Sequence, residues 1–208
     1  IDLLNFLKDH PDLKRTDFDF RHLLHSWFNL GFLVLKQINW DTPARILDKI
    51  IAYEAVHEIS DLDDLRKRLL PSDRRCFAFF HPSMPDEPLI FIEVALTCEV
   101  PGSIDGILLE KRVPLAPENA RVAVFYSISN CQVGLRGISF GNLLIKQVVT
   151  ELSLEMPNLN QFVTLSPIPN LNTWLESKLD DAELGFAASE ALEAQASDDT
   201  VAKLAARY

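Results

Sequence analysis

The chain has 208 residues, 48% of them hydrophobic, enough to bury one good core with an appended helical piece. Its 20 Lys and Arg stand against 30 Asp and Glu, and the net charge of −10 argues against nucleic acid, whose phosphates need clustered cations. Any anionic ligand must therefore be held by local donors against an unfavourable overall field. No apolar run reaches the length of a membrane span, and no basic-then-apolar leader opens the sequence. Cys76, Cys98 and Cys131 are too few and too scattered for a disulfide framework, and no C-x-x-C pair is available for zinc. A reducing cytoplasm is the expected compartment. The chain begins on Ile1 rather than Met, so further residues are expected upstream.

In chain order, residues 1–13 carry Leu3, Leu4, Phe6 and Leu7 on a helical period and read as the end of an N-terminal helical region, bounded at residue 16. Asp17 or Asp19 then caps a helix with Phe20, Leu23, Leu24, Trp27 and Phe28 as its core stripe and Gly31 just past its end. Residues 32–38 predict a strand. Thr42 and Pro43 open a helix, as cap and first helical residue, with Ile46, Ile50, Ile51 and Tyr53 facing the core. Residues 61–70 predict a further helix, charged outside and stopped by Pro71. Residues 76–80 and 89–96 predict an antiparallel pair joined by a wide, proline-rich turn over 81–88. A short strand is possible at 107–109 in an otherwise Pro-broken segment.

Residues 121–129 are apolar and β-branched, which predicts a strand buried on both faces. A loop with Gly134, Gly137 and Gly141 follows, three of the seven glycines in the protein. Leu143, Leu144, Val148 and Leu152 then mark a helix up to Pro157, and residues 162–165 a second strand. Residues 170–179 predict a short helix. From residue 180 to 208 the composition turns acidic and Ala-rich, a helical tail with few large side chains.

Strand, glycine loop, helix and strand together suit a cradle for an anion. Glycines let backbone N–H groups approach a ligand, and a helix start adds unpaired donors and a positive dipole end. The spacing matches neither G-x-G-x-x-G nor a nucleotide P-loop, so a tight turn with helix-packing glycines remains an equal reading. Arg136 is the basic residue inside the loop and can pair with phosphate oxygens. Lys146 reads as a solvated helix residue. Ser166, ahead of Pro167 at a strand end, is either a turn serine or a hydroxyl aimed into a cleft.

Several long words extend beyond this unit. They are Phe125-Tyr-Ser-Ile-Ser, Gly134-Leu-Arg-Gly-Ile-Ser-Phe-Gly-Asn-Leu-Leu-Ile-Lys and Thr164-Leu-Ser-Pro-Ile-Pro. His81-Pro-Ser-Met-Pro-Asp-Glu-Pro-Leu, Glu93-Val-Ala-Leu-Thr and Ser26-Trp-Phe-Asn-Leu-Gly-Phe-Leu join them. In this order, over residues 18–175, the chain resembles the catalytic domain of the malonyl-CoA decarboxylases. The resemblance implies an α/β fold of GNAT type, a mixed and mostly antiparallel sheet flanked by helices, with the catalytic domain starting near residue 17. It implies decarboxylation of malonyl-CoA to acetyl-CoA and carbon dioxide through an enolate, with no cofactor or metal beyond the CoA moiety of the substrate. The CoA pyrophosphate would lie on the main chain of Arg136, Gly137, Ile138, Ser139, Phe140, Gly141 and Asn142. Ser166 would be one of a catalytic pair.

The other member of that pair is a histidine placed later in the family, with two more strands. An incomplete catalytic domain is therefore expected, because a sheet ending at residues 162–165 would leave an apolar edge. Where some family members carry an acidic residue this chain has Ser139, which could cap the helix instead. His57 and His81 are read as structural, and Glu93 as facing solvent by strand alternation, the alternative being a buried carboxylate of raised pKa. A homo-oligomer is expected. The rival functions are an acyl-CoA-dependent acyltransferase on the same fold and a CoA-binding fragment without turnover.

Overall fold

The computed structural model describes residues 6–7, 9–28, 30–108, 112–135, 140–168 and 170–178. The chain divides into two units, Ile1–Leu165 and Ser166–Tyr208. The first unit is built on a five-stranded sheet in the order β1-β2-β3-β4-β5. The strands are β1 (Val34–Ile38), β2 (Arg74–His81), β3 (Met84–Thr97), β4 (Val122–Asn130) and β5 (Gln161–Thr164). Neighbours are antiparallel except β4 and β5, which run parallel and need a helical crossover between them. The helices are α1 (Lys14–Trp27), α2 (Ala44–Tyr53), α3 (Leu62–Leu69), α4 (Asp105–Leu108) and α5 (Gly141–Glu155), with α6 (Leu171–Glu176) in the second unit. This is the mixed, mostly antiparallel α/β architecture that the resemblance implies.

Both faces of the sheet are covered, which explains the long apolar runs. On one face Leu144, Val148 and Leu152 of α5, four residues apart, pack on Phe77, Phe79, Ile90, Ile92, Val94 and Phe125. On the other, Ile46, Leu47 and Ile50 of α2 and Leu65 and Leu69 of α3 cover Cys76, Ala78, Phe80 and Phe91. Ile107 of α4 extends that layer over Ala95, Val122, Val124 and Tyr126. Residues 107–108 are thus helical rather than a strand, with Ile107 N–H and Leu108 N–H bonded to Ile104 O. Leu109 lies outside the described residues.

Glu93 corrects another expectation. Its neighbours Ile92 and Val94 point to α5, so Glu93 points to the opposite face, which helices cover as well, and its exposure is 0%. Alternation offers no solvent where both faces are roofed. Arg68 of α3 answers the charge, with Nη1 donating to Glu93 Oε2 at 3.0 Å and Nη2 to Glu58 O at 2.9 Å.

The β2–β3 connection is tighter than expected. His81 already pairs with Met84, and the irregularity is moved into the ladder as register shifts on both sides of Phe80. Pro85 and Pro88 have no N–H to give, which accounts for a broken ladder there. Helix starts also move. α1 begins after Leu13 and makes no side-chain cap, and its C-cap is Phe28 rather than a residue near Gly31. Of its predicted stripe, Phe20, Leu23 and Trp27 are exposed, while Phe28 joins the core. Pro43 takes the cap position of α2, while Thr42 Oγ1 accepts from Asn39 N–H in the preceding turn. Asp61 precedes α3 and caps it, its Oδ1 accepting from Asp64 N–H at 2.8 Å. In the second unit, Asn170 precedes α6 in the left-handed region (φ 62°) that Asn tolerates better than most residues.

Candidate functional site

The sheet is interrupted at one place that matters for ligand access. β4 pairs with β5 only from Val122 to Phe125, and the last bond is Leu165 N–H to Phe125 O at 2.9 Å. The register against β3 slips at the next residue: Val94 faces Phe125 while Glu93 faces Ser127, so Tyr126 is the extra residue of a β-bulge. β4 continues to Asn130 along β3 but, among the described residues, has no strand partner on the β5 side. At about 3.3 Å per residue, residues 126–130 offer roughly 16 Å of unpaired strand edge.

A polar cluster holds this length of β4 in place. The bulge puts Tyr126 on the same face as Ser127 and Ser129. Glu54, at the end of α2, accepts from Ser127 Oγ at 2.7 Å and Ser129 Oγ at 3.1 Å, and from the N–H groups of Val56 and His57 at 2.9 and 2.8 Å. Ala55 N–H donates to Ser129 Oγ at 3.1 Å. His57 Nε2 lies 3.1 Å from Tyr126 O, so the proton on Nε2 occupies the carbonyl that β5 does not reach. Burial holds the His57 pKa below its ordinary value against the pull of Glu54. His57 is thus a strut for the bulge, consistent with a structural role. His81 is another strut, its Nδ1 accepting from Ser83 N–H and its ring 5.2 Å from that of Phe28.

The edge of β4 leads through a 3₁₀ turn, Val133–Leu135, towards the start of α5. Arg136, Gly137, Ile138 and Ser139 lie outside the described residues, so the expected Ser139 cap does too. Phe140 occupies the cap position of α5, with no side-chain hydrogen bond to the first turn. Its ring is buried in the core and meets Phe28 edge-on at 6.5 Å. The first-turn N–H groups of Gly141, Asn142 and Leu143 precede the first intrahelical partner and form the positive end of the helix dipole. A Cβ at Gly141 would meet only Ile90 and Ile128 side-chain atoms at 3.9 and 4.0 Å, and one at Gly134 nothing within 4 Å. Packing inside the unit therefore imposes glycine at neither position. Asn142 and Lys146 are exposed.

Ser166 is exposed and is the first residue of the second unit, directly after Leu165. Among the described residues no three His, Cys, Asp or Glu side chains converge on a metal position. Among the same residues no helix is long and apolar enough to cross a membrane. Cys76 and Cys131 are buried free thiols, Cys98 an exposed one.

The sequence did not single out Glu54, Ser127 or Ser129. A signal was present: two serines two residues apart in an otherwise apolar strand share one face and require a partner.

Comparison with known proteins bears on this arrangement. The family model described as the malonyl-CoA decarboxylase C-terminal domain matches residues 31–206. The chain is similar to mitochondrial malonyl-CoA decarboxylases of Anser anser anser, 41% identical over 80% of this chain and 33% of the relative, and of Mus musculus, 41% over 81% and 35%. It is also similar to the crystal structure of a malonyl-CoA decarboxylase from Rhodopseudomonas palustris, with TM-score 0.80 and 52% identity over 99% of this chain and 52% of the other. The one from Agrobacterium vitis gives 0.80 and 52%, over 95% and 51%. The chain spans about a third of the length of these curated relatives and about half that of the solved structures. On sequence, on fold and over most of its length, the chain belongs to the malonyl-CoA decarboxylase family.

Proposed function

We propose that this chain carries the CoA-binding part of a malonyl-CoA decarboxylase and releases acetyl-CoA and carbon dioxide from malonyl-CoA. The observation that carries this reading is the open β4 edge beyond Tyr126, continuing to an α5 start without a side-chain cap. An extended ligand with amides, such as the pantetheine arm, can pair with such an edge as a strand would. The diphosphate then falls to the backbone amides of residues 136–142, with Arg136 as the paired cation and the dipole of α5 behind it.

The chemistry needs no group beyond the substrate's own thioester. When the bond between the carboxylate and the methylene carbon breaks, its electron pair moves onto the thioester carbonyl and carbon dioxide departs. The resulting enolate carries its charge on oxygen and takes a proton at carbon. A positioned hydrogen-bond donor lowers the barrier by stabilising that oxygen. Ser166 is assigned this contact, to the carboxylate or to the enolate oxygen, without acting as a nucleophile. Its support is the match of Thr164-Leu-Ser-Pro-Ile-Pro to the family pattern and its position one residue after the last β5 bond.

Turnover of the protein on malonyl-CoA, with no acyl acceptor present, tests this directly. Acetyl-CoA is expected to form, and Ser166→Ala to reduce kcat by about a hundredfold or more, the usual loss of an oxyanion donor. Unchanged turnover in that variant would remove Ser166 from the mechanism; turnover only with an added amine would indicate acyl transfer. The same proposal includes a reducing compartment, suited to three free thiols, and self-association through the exposed Phe18, Phe20 and Trp27 of α1. Sedimentation velocity reads the latter.

A further inference from the structure

The bulge at Tyr126 reverses which residues of β4 face its open edge. Phe125 O accepts from Leu165 N–H on the β5 side, so in an unbulged strand residues 127 and 129 would turn their main-chain groups the same way. With Tyr126 as the extra residue, Ser127 instead stands opposite Glu93 and Ser129 opposite Phe91, and Cys131 N–H donates to Leu89 O at 3.0 Å. At a period of two, residues 127, 129 and 131 therefore bond to β3, and the N–H and C=O groups of Ile128 and Asn130 turn to the open edge. The side chains change faces at the same step. Phe125 and Ile128 pack with the α5 layer, whereas Tyr126 belongs to the opposite one.

Glu54 is the group that selects this register. Ser127 and Ser129 are each 1% exposed, so their hydroxyls need an acceptor inside the protein. Glu54 serves both: Ser127 Oγ donates to Oε1 at 2.7 Å and Oε2 at 2.9 Å, and Ser129 Oγ to Oε2 at 3.1 Å. The carboxylate is itself held by the N–H groups of Val56 and His57, and Ala55 N–H closes the knot on Ser129 Oγ. A slip of one residue would turn both hydroxyls towards α5 and bring the Ile128 side chain against the carboxylate. Buried polar groups would then lose their partners on both faces, which is costly. A buried polar knot stabilises little more than an apolar filling of the same space; what it adds here is a single register.

We propose that Glu54 is a positioning residue for the acyl-CoA. Through Ser127 and Ser129 it fixes the bulged register of β4, and so presents the main-chain groups of Ile128 and Asn130 to the amides of the pantetheine arm. This role rests on the CoA-site reading above and adds to it the residue that sets where along β4 the arm, and with it the thioester, comes to lie. Glu54 acts from the α2 face of the sheet, through the strand, and not by contact with the ligand.

Calorimetric titration of wild type and Glu54→Gln with CoA, and with adenosine bisphosphate as the nucleotide end of CoA without its pantetheine arm, tests this. The glutamine amide nitrogen cannot accept a hydrogen bond, so one side of the knot opens. The Kd for CoA is expected to rise by about tenfold, as for about two weakened hydrogen bonds, while that for adenosine bisphosphate stays within about twofold. Ser129→Ala removes one hydroxyl and little volume, and guards against a Glu54→Gln protein that does not fold; its Kd for CoA is expected to rise by about threefold, again selectively. Selective loss of CoA in either folded variant upholds the positioning role. If Glu54 only supported the fold, the variants would unfold at lower denaturant and the two affinities would change in the same ratio or not at all. That result overturns the positioning role and leaves the decarboxylase reading intact. Failure of wild type to bind CoA or adenosine bisphosphate overturns the CoA-site reading, and the role of Glu54 with it.

Discussion

Glu93→Gln is the substitution whose pH dependence reports most directly on the buried face of the sheet. Burial pushes the Glu93 carboxyl up to about 7, against an ordinary 4.5, with Arg68 opposing the shift and Glu54 adding to it. Between those two values the folded state holds a proton that the unfolded chain has released. Stability associated with Glu93 is therefore fully present below pH 4.5 and declines as pH rises towards 7. At about 1.4 kcal/mol per pH unit, the interval from 4.5 to about 7 corresponds to a loss of about 3 kcal/mol. Glutamine resembles the protonated acid in shape and has no such dependence. The measurement is urea unfolding of both proteins at several pH values from 4.5 to 8, taking the difference at each pH so that other groups cancel. The variant is expected to match wild type near pH 4.5 and to gain on it by about 3 kcal/mol above pH 7. A variant that instead loses ground as pH rises would show the Arg68 ion pair outweighing desolvation, and this account of Glu93 would be wrong.

Leu144→Ala is expected to cost about 2–5 kcal/mol, since Leu144 is fully buried between α5 and the sheet; denaturant midpoints check this. Asp61→Ala removes the α3 cap and is expected to cost about 1 kcal/mol, with Asp61→Asn retaining most of it. Gly141→Ala meets no steric obstacle and is expected to leave stability unchanged or raise it by up to about 1 kcal/mol, while weakening CoA binding severalfold by calorimetry. A Gly141→Ala protein that binds CoA normally would move the diphosphate away from this turn.

The difference between what was legible and what was not follows the range of the forces involved. α5 could be read from Leu144, Val148 and Leu152 because helical periodicity is local, whereas the Asp61 cap was not named although its bond spans only three residues. The crossover β4–α5–β5 was equally visible, since one buried strand, one amphipathic helix and a second apolar run have few other ways to pack. α1 misled for the same local reason: its stripe of Phe20, Leu23 and Trp27 has the period of a core face, but among the described residues nothing covers it and all three are exposed. Glu93 misled because alternation tells which residues share a face, not whether that face is roofed.

By itself the sequence determined the elements, their approximate order and the family, because these depend on short-range pattern and on words preserved along the chain. Only the tertiary structure decided that β4 bulges at Tyr126 and parts from β5, that Glu54 and His57 brace the bulge, and that Arg68, Arg74 and Arg112 from three segments line one cavity. Contacts such as Glu54 to Ser127 or Arg74 to Ile107 join residues 73 and 33 positions apart, and nothing in the local pattern of either partner encodes the other. They arise from how the layers stack, and stacking is a property of the whole chain.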